Sequence, residues 1–192
     1  MNRYAITVRR WWTVPLAIFV LVLVSGTVGT SEVPIPSLTG GMASAHVAYF
    51  TPVVIVIAVM YSLERRLPSA ESTAVVPVHR FDQGAMILAT VLAHGAGLVV
   101  GLDVARNITL LLAIALITWR LSNEATAAAA GLLFLILNLM LGRAYDASGH
   151  ASHTWWALAL YPARSMGAWL VAAALFAVAL KVSTTKRRGI SS

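Results

Sequence analysis

The groups in this chain able to do chemistry are few: five histidines and a handful of polar residues set in long apolar runs. Asp146, His150 and His153 stand at offsets that a helix would bring onto one face, and such a trio could hold zinc. No His-Glu-x-x-His run accompanies them, and the plainer reading is a solvated outer loop, with no metal. Ser148, in the same stretch "ASGH", has neither a nucleophile elbow around it nor a partner acid, so a serine hydrolase is not indicated. His46 and His94 are a pair able to ligate haem. They fall at different depths of two apolar segments, and interhelical hydrogen bonding, worth about 1 kcal/mol, is the plainer role. A small membrane enzyme or haem protein using His46, His94, His150 or His153 is the alternative reading. His94 lies in the middle of an apolar segment, where an ionisable group is by default a candidate for a substrate path. Asn138 is the other polar residue deep in such a segment, a second path candidate or simple packing glue.

The densest polar stretch is "ERRLPSAESTAVVPVHRFD", residues 64 to 82. It holds Glu64, Arg65, Arg66, Glu71, Arg80 and Asp82, six of the 14 + 7 = 21 charged residues of the chain, together with His79. Pro68 can start a short helix there, Ser69 can cap it and Pro77 can end it. Anchoring to a membrane would need only the basic residues. The mixture of both signs around Val75 and Val76 fits a protein contact, because interface hot spots are apolar anchors ringed by charge.

These residues have to be positioned by a very hydrophobic chain. Of 192 residues 59% are hydrophobic and 11% charged, with a mean hydropathy of +0.81. Soluble domains carry roughly 25% charged residues. A water-soluble fold of this length cannot hide so much apolar side chain, so the expected solvent is lipid. The chain has no cysteine, which excludes disulfides and thiolate metal sites. A helix needs about 20 apolar residues to cross the hydrocarbon core. Six segments qualify, at about 11–29, 45–63, 84–102, 105–121, 125–142 and 165–182, the fourth being the shortest. The expected fold is a single all-α polytopic domain over residues 1–192. The first segment is too long for a signal-peptide core and more spans follow it, so it reads as an uncleaved span.

Six spans put both termini on one side. With the N-terminus inside, eleven basic residues are cytoplasmic (Arg3, Arg9, Arg10, Arg65, Arg66, Arg80, Arg120, Lys181, Lys186, Arg187 and Arg188) and three are outside (Arg106, Arg143 and Arg164). This asymmetry accounts for the net charge of +7 without a nucleic-acid partner. The 64–82 stretch is then cytoplasmic. "GLDVARN" reads as a tight outer turn in which Asp103 and Arg106 neutralise one another, and "WRLSNEAT" as a tight inner turn. Pro15 and Pro52 are expected to kink their helices. Gly97 with Gly101, and Ala127 with Gly131, have the spacing that lets helices approach closely. Residues 143–164 are too short in apolar content to cross. They must lie at the outer interface or dip in and return, which lipid tolerates only where protein or water satisfies the backbone.

In this order of elements the chain resembles the permease subunits of ABC-2 type exporters. Those have six spans, an interfacial helix before the first, a coupling helix between the second and third and an outer re-entrant hairpin before the sixth. "MNRYAITVRRWW" is similar to the interfacial helix and "HTWWALALYPAR" to the hairpin. Glu71-Ser72-Thr73 and Pro77-Val78-His79-Arg80 are similar to the family's cytoplasmic motif. The stretch from Glu71 to Pro77 is about one helical turn shorter than the family pattern, and Asp82-Gln83 replaces a basic residue. The resemblance implies that Glu64, Arg65, Arg66, Glu71, Thr73, Val75, Val76, Pro77, His79 and Arg80 contact an ATPase subunit. It implies a second permease, identical or different, and a bacterial plasma-membrane location. It also implies ATP and Mg on the partner ATPase, since this chain contains no Walker sequence and is not expected to be an enzyme by itself.

Overall fold

The computed structural model describes residues 10–36, 42–64, 78–145 and 151–184. Six α-helices account for most of them: α1 (Thr13–Val28), α2 (Pro52–Glu64), α3 (Val78–Val100), α4 (Leu102–Leu121), α5 (Glu124–Leu141) and α6 (Met166–Thr184). Four helical stretches are long and apolar enough to cross a membrane: Val47–Glu64, Asp82–Val100, Leu102–Leu121 and Met166–Ser183. The apolar helices Thr13–Val28 and Ala125–Leu141 are shorter. At 1.5 Å per residue α1 is about 24 Å long, below the roughly 30 Å hydrocarbon thickness.

Several expected boundaries move. Pro15 stands in the first turn of α1, and Pro52 is the first residue of α2. A missing N–H costs nothing there, so the prolines start helices where kinks were expected. Helix α3 begins at Val78, so His79, Arg80 and Asp82 belong to its first turns and not to a loop. Helix α4 begins at Leu102 and runs for 20 residues, so it is not the shortest segment. The turn before it is a single residue: Gly101 has φ +144, a conformation side chains rarely adopt, and Gly97 is so close to α4 that a Cβ would meet that of Ala105 at 2.5 Å. At the other end Asn123 caps α5, its Oδ1 accepting from the Thr126 N–H at 2.8 Å.

The chain is also not purely α. Strand β1 (Glu32–Pro36) pairs antiparallel with β2 (Met42–His46), and β3 (Arg143–Tyr145) with β4 (Ala151–His153). A 3-10 turn over Val47–Tyr49 leads from β2 to α2, and another over Leu158–Leu160 precedes α6. Both hairpins lie at the same end of the bundle, where the Arg143 guanidinium donates to the carbonyl of Ser44. Prolines 34 and 36 remove donors from β1, which blunts its free edge.

Helix α4 is the axis of the assembly and packs against α2, α3, α5 and α6. About 67% of Leu102–Leu121 is buried, against 28% of Asp82–Val100 on α3 and 17% of Met166–Ser183 on α6. Ile108, Leu111, Leu112 and Leu116 are fully enclosed. The outer faces of the peripheral helices are apolar instead: Phe19 and Leu23 on α1, Leu88 and Val91 on α3, Leu133 on α5 and Leu170 on α6 are all exposed. Thr51, Ser62, Thr90, Arg106, Asn107, Thr109 and Asn138 are buried. Polar groups within and apolar groups without is the distribution that a lipid solvent demands. Helices α1 and α2 are stitched at both ends. Arg10 Nη1 donates to Tyr61 Oη at 2.8 Å and the Thr13 and Ser62 hydroxyls meet at 3.1 Å, while at the hairpin end Ser25 Oγ donates to Thr51 Oγ1 at 3.3 Å.

Candidate functional site

The hairpin end of the bundle is closed by residues 154–164, which turn inward between α4 and α5 before α6 begins. Ala157, Ala159 and Leu160 are buried there. The backbone of this segment is mostly irregular, so its polar groups need partners from elsewhere. Three side chains supply them. From α4, Arg106 Nη2 and Asn107 Nδ2 both donate to the Ala159 carbonyl, at 3.2 and 3.1 Å, and Arg106 Nη1 donates to the Pro162 carbonyl at 3.2 Å. From α5, Asn138 Oδ1 accepts the Ala159 N–H at 3.3 Å while its amide donates to Phe134 O at 2.9 Å. Arg106 Nη2 also donates to Asn107 Oδ1 at 3.1 Å. All three side chains are completely buried.

The same segment is tied at both ends. The Thr154 N–H donates to the Gly142 carbonyl at 2.9 Å, and Trp169 Nε1 donates to the Ala163 carbonyl at 2.9 Å. Gly142 is needed for the approach, since a Cβ there would stand 2.5 Å from that of Ala157 and 3.0 Å from Leu160 Cδ1.

This changes the expected role of Arg106. Asp103 remains a charge partner for it, as expected, but it lies inside α4 and also holds two carbonyls that come from more than 50 residues away. The guanidinium fork is suited to this, because its donors diverge within one rigid plane. Arg106 and Asn107 were missed as a pair in the sequence, although two adjacent strongly polar residues entering an apolar run are the signal that marks them.

The two path candidates are not brought together. Asn138 is engaged by the 154–164 segment on α5. His94, on α3, is half-buried, with Nδ1 2.7 Å from the Thr90 carbonyl and its ring centroid 5.4 Å from that of Trp169 on α6. His46 is exposed in β2, its Nδ1 3.2 Å from the Thr30 carbonyl. His153 lies on a strand, so the single helical face expected for Asp146, His150 and His153 does not form; Asp146 and His150 lie outside the described residues. Among the described residues no group of three His, Asp or Glu side chains is placed to hold a metal.

Of the expected ATPase-contact residues, Glu64 is the exposed last residue of α2, and His79 and Arg80 are in the first turn of α3. Arg65, Arg66, Glu71, Thr73, Val75, Val76 and Pro77 lie outside the described residues. The chain matches no protein-family model, no curated protein and no solved structure.

Proposed function

We propose that this chain is the permease subunit of an ABC-2 type exporter in a bacterial plasma membrane. Its six helices all cross the bilayer, with both termini cytoplasmic, and pair with a second permease, identical or different. Separate cytoplasmic ATPase subunits bind ATP and Mg and press on residues 64–82. His94 lies along the cargo path. Asn138 belongs to the outer closure.

The observation that carries this reading is the polarity of the bundle. One end joins α2 to α3 through a segment dense in both charge signs. The opposite end is sealed by a short irregular segment held from within by Arg106, Asn107 and Asn138. A driving subunit in the cytosol needs a charged handle on its own side. A path to the outside needs a closure on the other. The apolar exterior suits lipid, and with this topology eleven basic residues against three lie inside, which supports a cytoplasmic charged connection.

The test is to express the chain with the ATPase encoded in a neighbouring reading frame and purify through a tag on the chain. The two proteins should stay together in detergent and hydrolyse ATP, and the chain alone should not. Hydrolysis by the chain alone, or failure of any such ATPase to co-purify, would overturn the assignment.

A further inference from the structure

His94 and Trp169 face one another between α3 and α6, two helices that each pack on α4. The imidazole is oriented by its own helix. Nδ1 is 2.7 Å from the Thr90 carbonyl, which can only accept, so in the neutral ring Nδ1 carries the hydrogen and Nε2 is left as an acceptor. Among the described residues no donor reaches Nε2. Trp169 is complementary: its one donor is taken by Ala163 O, which leaves the π face. The planes are tilted by 43°, so the imidazole does not cover that face by parallel stacking.

The surroundings are apolar. Val91 and Leu98, one turn to either side of His94 on α3, and Leu170, next to Trp169 on α6, are exposed. His94 is seven residues, about 10 Å, from the turn at Gly101. At that depth in lipid an acceptor without a donor is costly.

We infer that His94 and Trp169 bind the headgroup of an amphiphile bearing a primary ammonium. Its N–H donates to His94 Nε2 and its charge lies against the indole face, while its tail runs along the exposed apolar residues of α3 and α6. A hydroxyl would satisfy only the imidazole, a quaternary ammonium only the indole, and an anionic headgroup neither. The inference deepens the exporter reading by naming a cargo class. It is measured without an ATPase, so the two stand or fall separately.

The experiment measures binding of radiolabelled dodecylamine to the purified chain in phosphatidylcholine nanodiscs. Binding should be saturable. His94→Phe and Trp169→Leu should each weaken it about tenfold, and His94→Gln, which keeps an acceptor, should weaken it no more than about threefold. Dodecyltrimethylammonium and dodecanol should compete about tenfold less well than unlabelled dodecylamine. Phosphatidylethanolamine in the nanodisc separates the two sources of a primary ammonium: competition identifies a bilayer lipid as the occupant, and its absence a single-chain amine. Uptake that does not saturate, equal competition by dodecyl sulfate, or unchanged binding in a folded His94→Phe would overturn the inference.

Discussion

The Arg106 guanidinium and the Ala159 carbonyl, 53 residues apart in the chain, meet at 3.2 Å inside the bundle. The contact joins the central helix to the segment that closes the hairpin end. Asn107 donates to the same carbonyl and Asn138 accepts from the same residue's N–H, so both backbone groups of Ala159 are satisfied by side chains. A buried irregular segment without such partners would lose about 1–3 kcal/mol for each orphaned group.

Arg106→Leu should therefore destabilise the fold by about 3 kcal/mol, since the Pro162 carbonyl loses its donor and the Ala159 carbonyl keeps only Asn107 as donor. Arg106→Lys should recover part of this, because an ammonium lacks the planar fork that reaches both carbonyls. The check is unfolding of the purified protein in mixed micelles titrated with sodium dodecyl sulfate, followed by circular dichroism. Wild-type resistance in Arg106→Leu would show that the segment is held by apolar burial alone.

Gly142→Ala should cost about 1–3 kcal/mol by overpacking. The new methyl would crowd the Asn138 carbonyl oxygen and stand 2.5 Å from Ala157 Cβ, which no rotamer change relieves. Combined with Ala157→Gly, which removes the opposing methyl, part of the loss should return. The same titration reads both variants, and no recovery in the double variant would argue against this contact.

For orientation, the absence of natural cysteine makes single-cysteine labelling direct. Cysteines at Ser37 and Ser148, in the connections of the two hairpins, should react with a membrane-impermeant maleimide on intact cells. A cysteine at Ser72 should react only after lysis. Labelling of Ser72→Cys from outside would invert the topology and remove the cytoplasmic handle.

Val76→Asp should abolish ATPase co-purification while leaving the thermal stability of the bundle unchanged, because truncating or charging a buried anchor costs about 2 kcal/mol or more. Glu71→Ala should have a smaller effect, as rim charges contribute about 0–1 kcal/mol. His150→Ala and His153→Ala serve as controls and should co-purify normally. Normal co-purification by Val76→Asp, with loss in the histidine variants, would move attention to the outer end of the chain.

The six helices among the described residues were legible in the sequence, because each needs a run of apolar residues and little else announces itself over that length. Their ends were less so. The start of α3 at Val78 was hidden by His79, Arg80 and Asp82, which read as loop residues although Pro77 marks a helix start as readily as a stop. The first turn of α4 was hidden in the same way by Asp103 and Arg106. The hairpins were not legible at all. "EVPIP" carries two prolines, which demote a strand reading, and "RAY" is too short to show an alternation.

What the sequence determined by itself was the apolar character of the chain and where, among the described residues, its apolar helical segments fall. These depend on composition within each segment, and a local sum suffices to read them. Which polar residues would be buried, and against what, was decided by tertiary structure. Arg106 and Asn107 acquire their role only when a segment some fifty residues later folds back onto α4, and His94 acquires Trp169 only when α3 and α6 both pack on α4. A hydrogen bond requires both partners within about 3 Å, and no local pattern carries the position of a group that arrives from the other end of the chain.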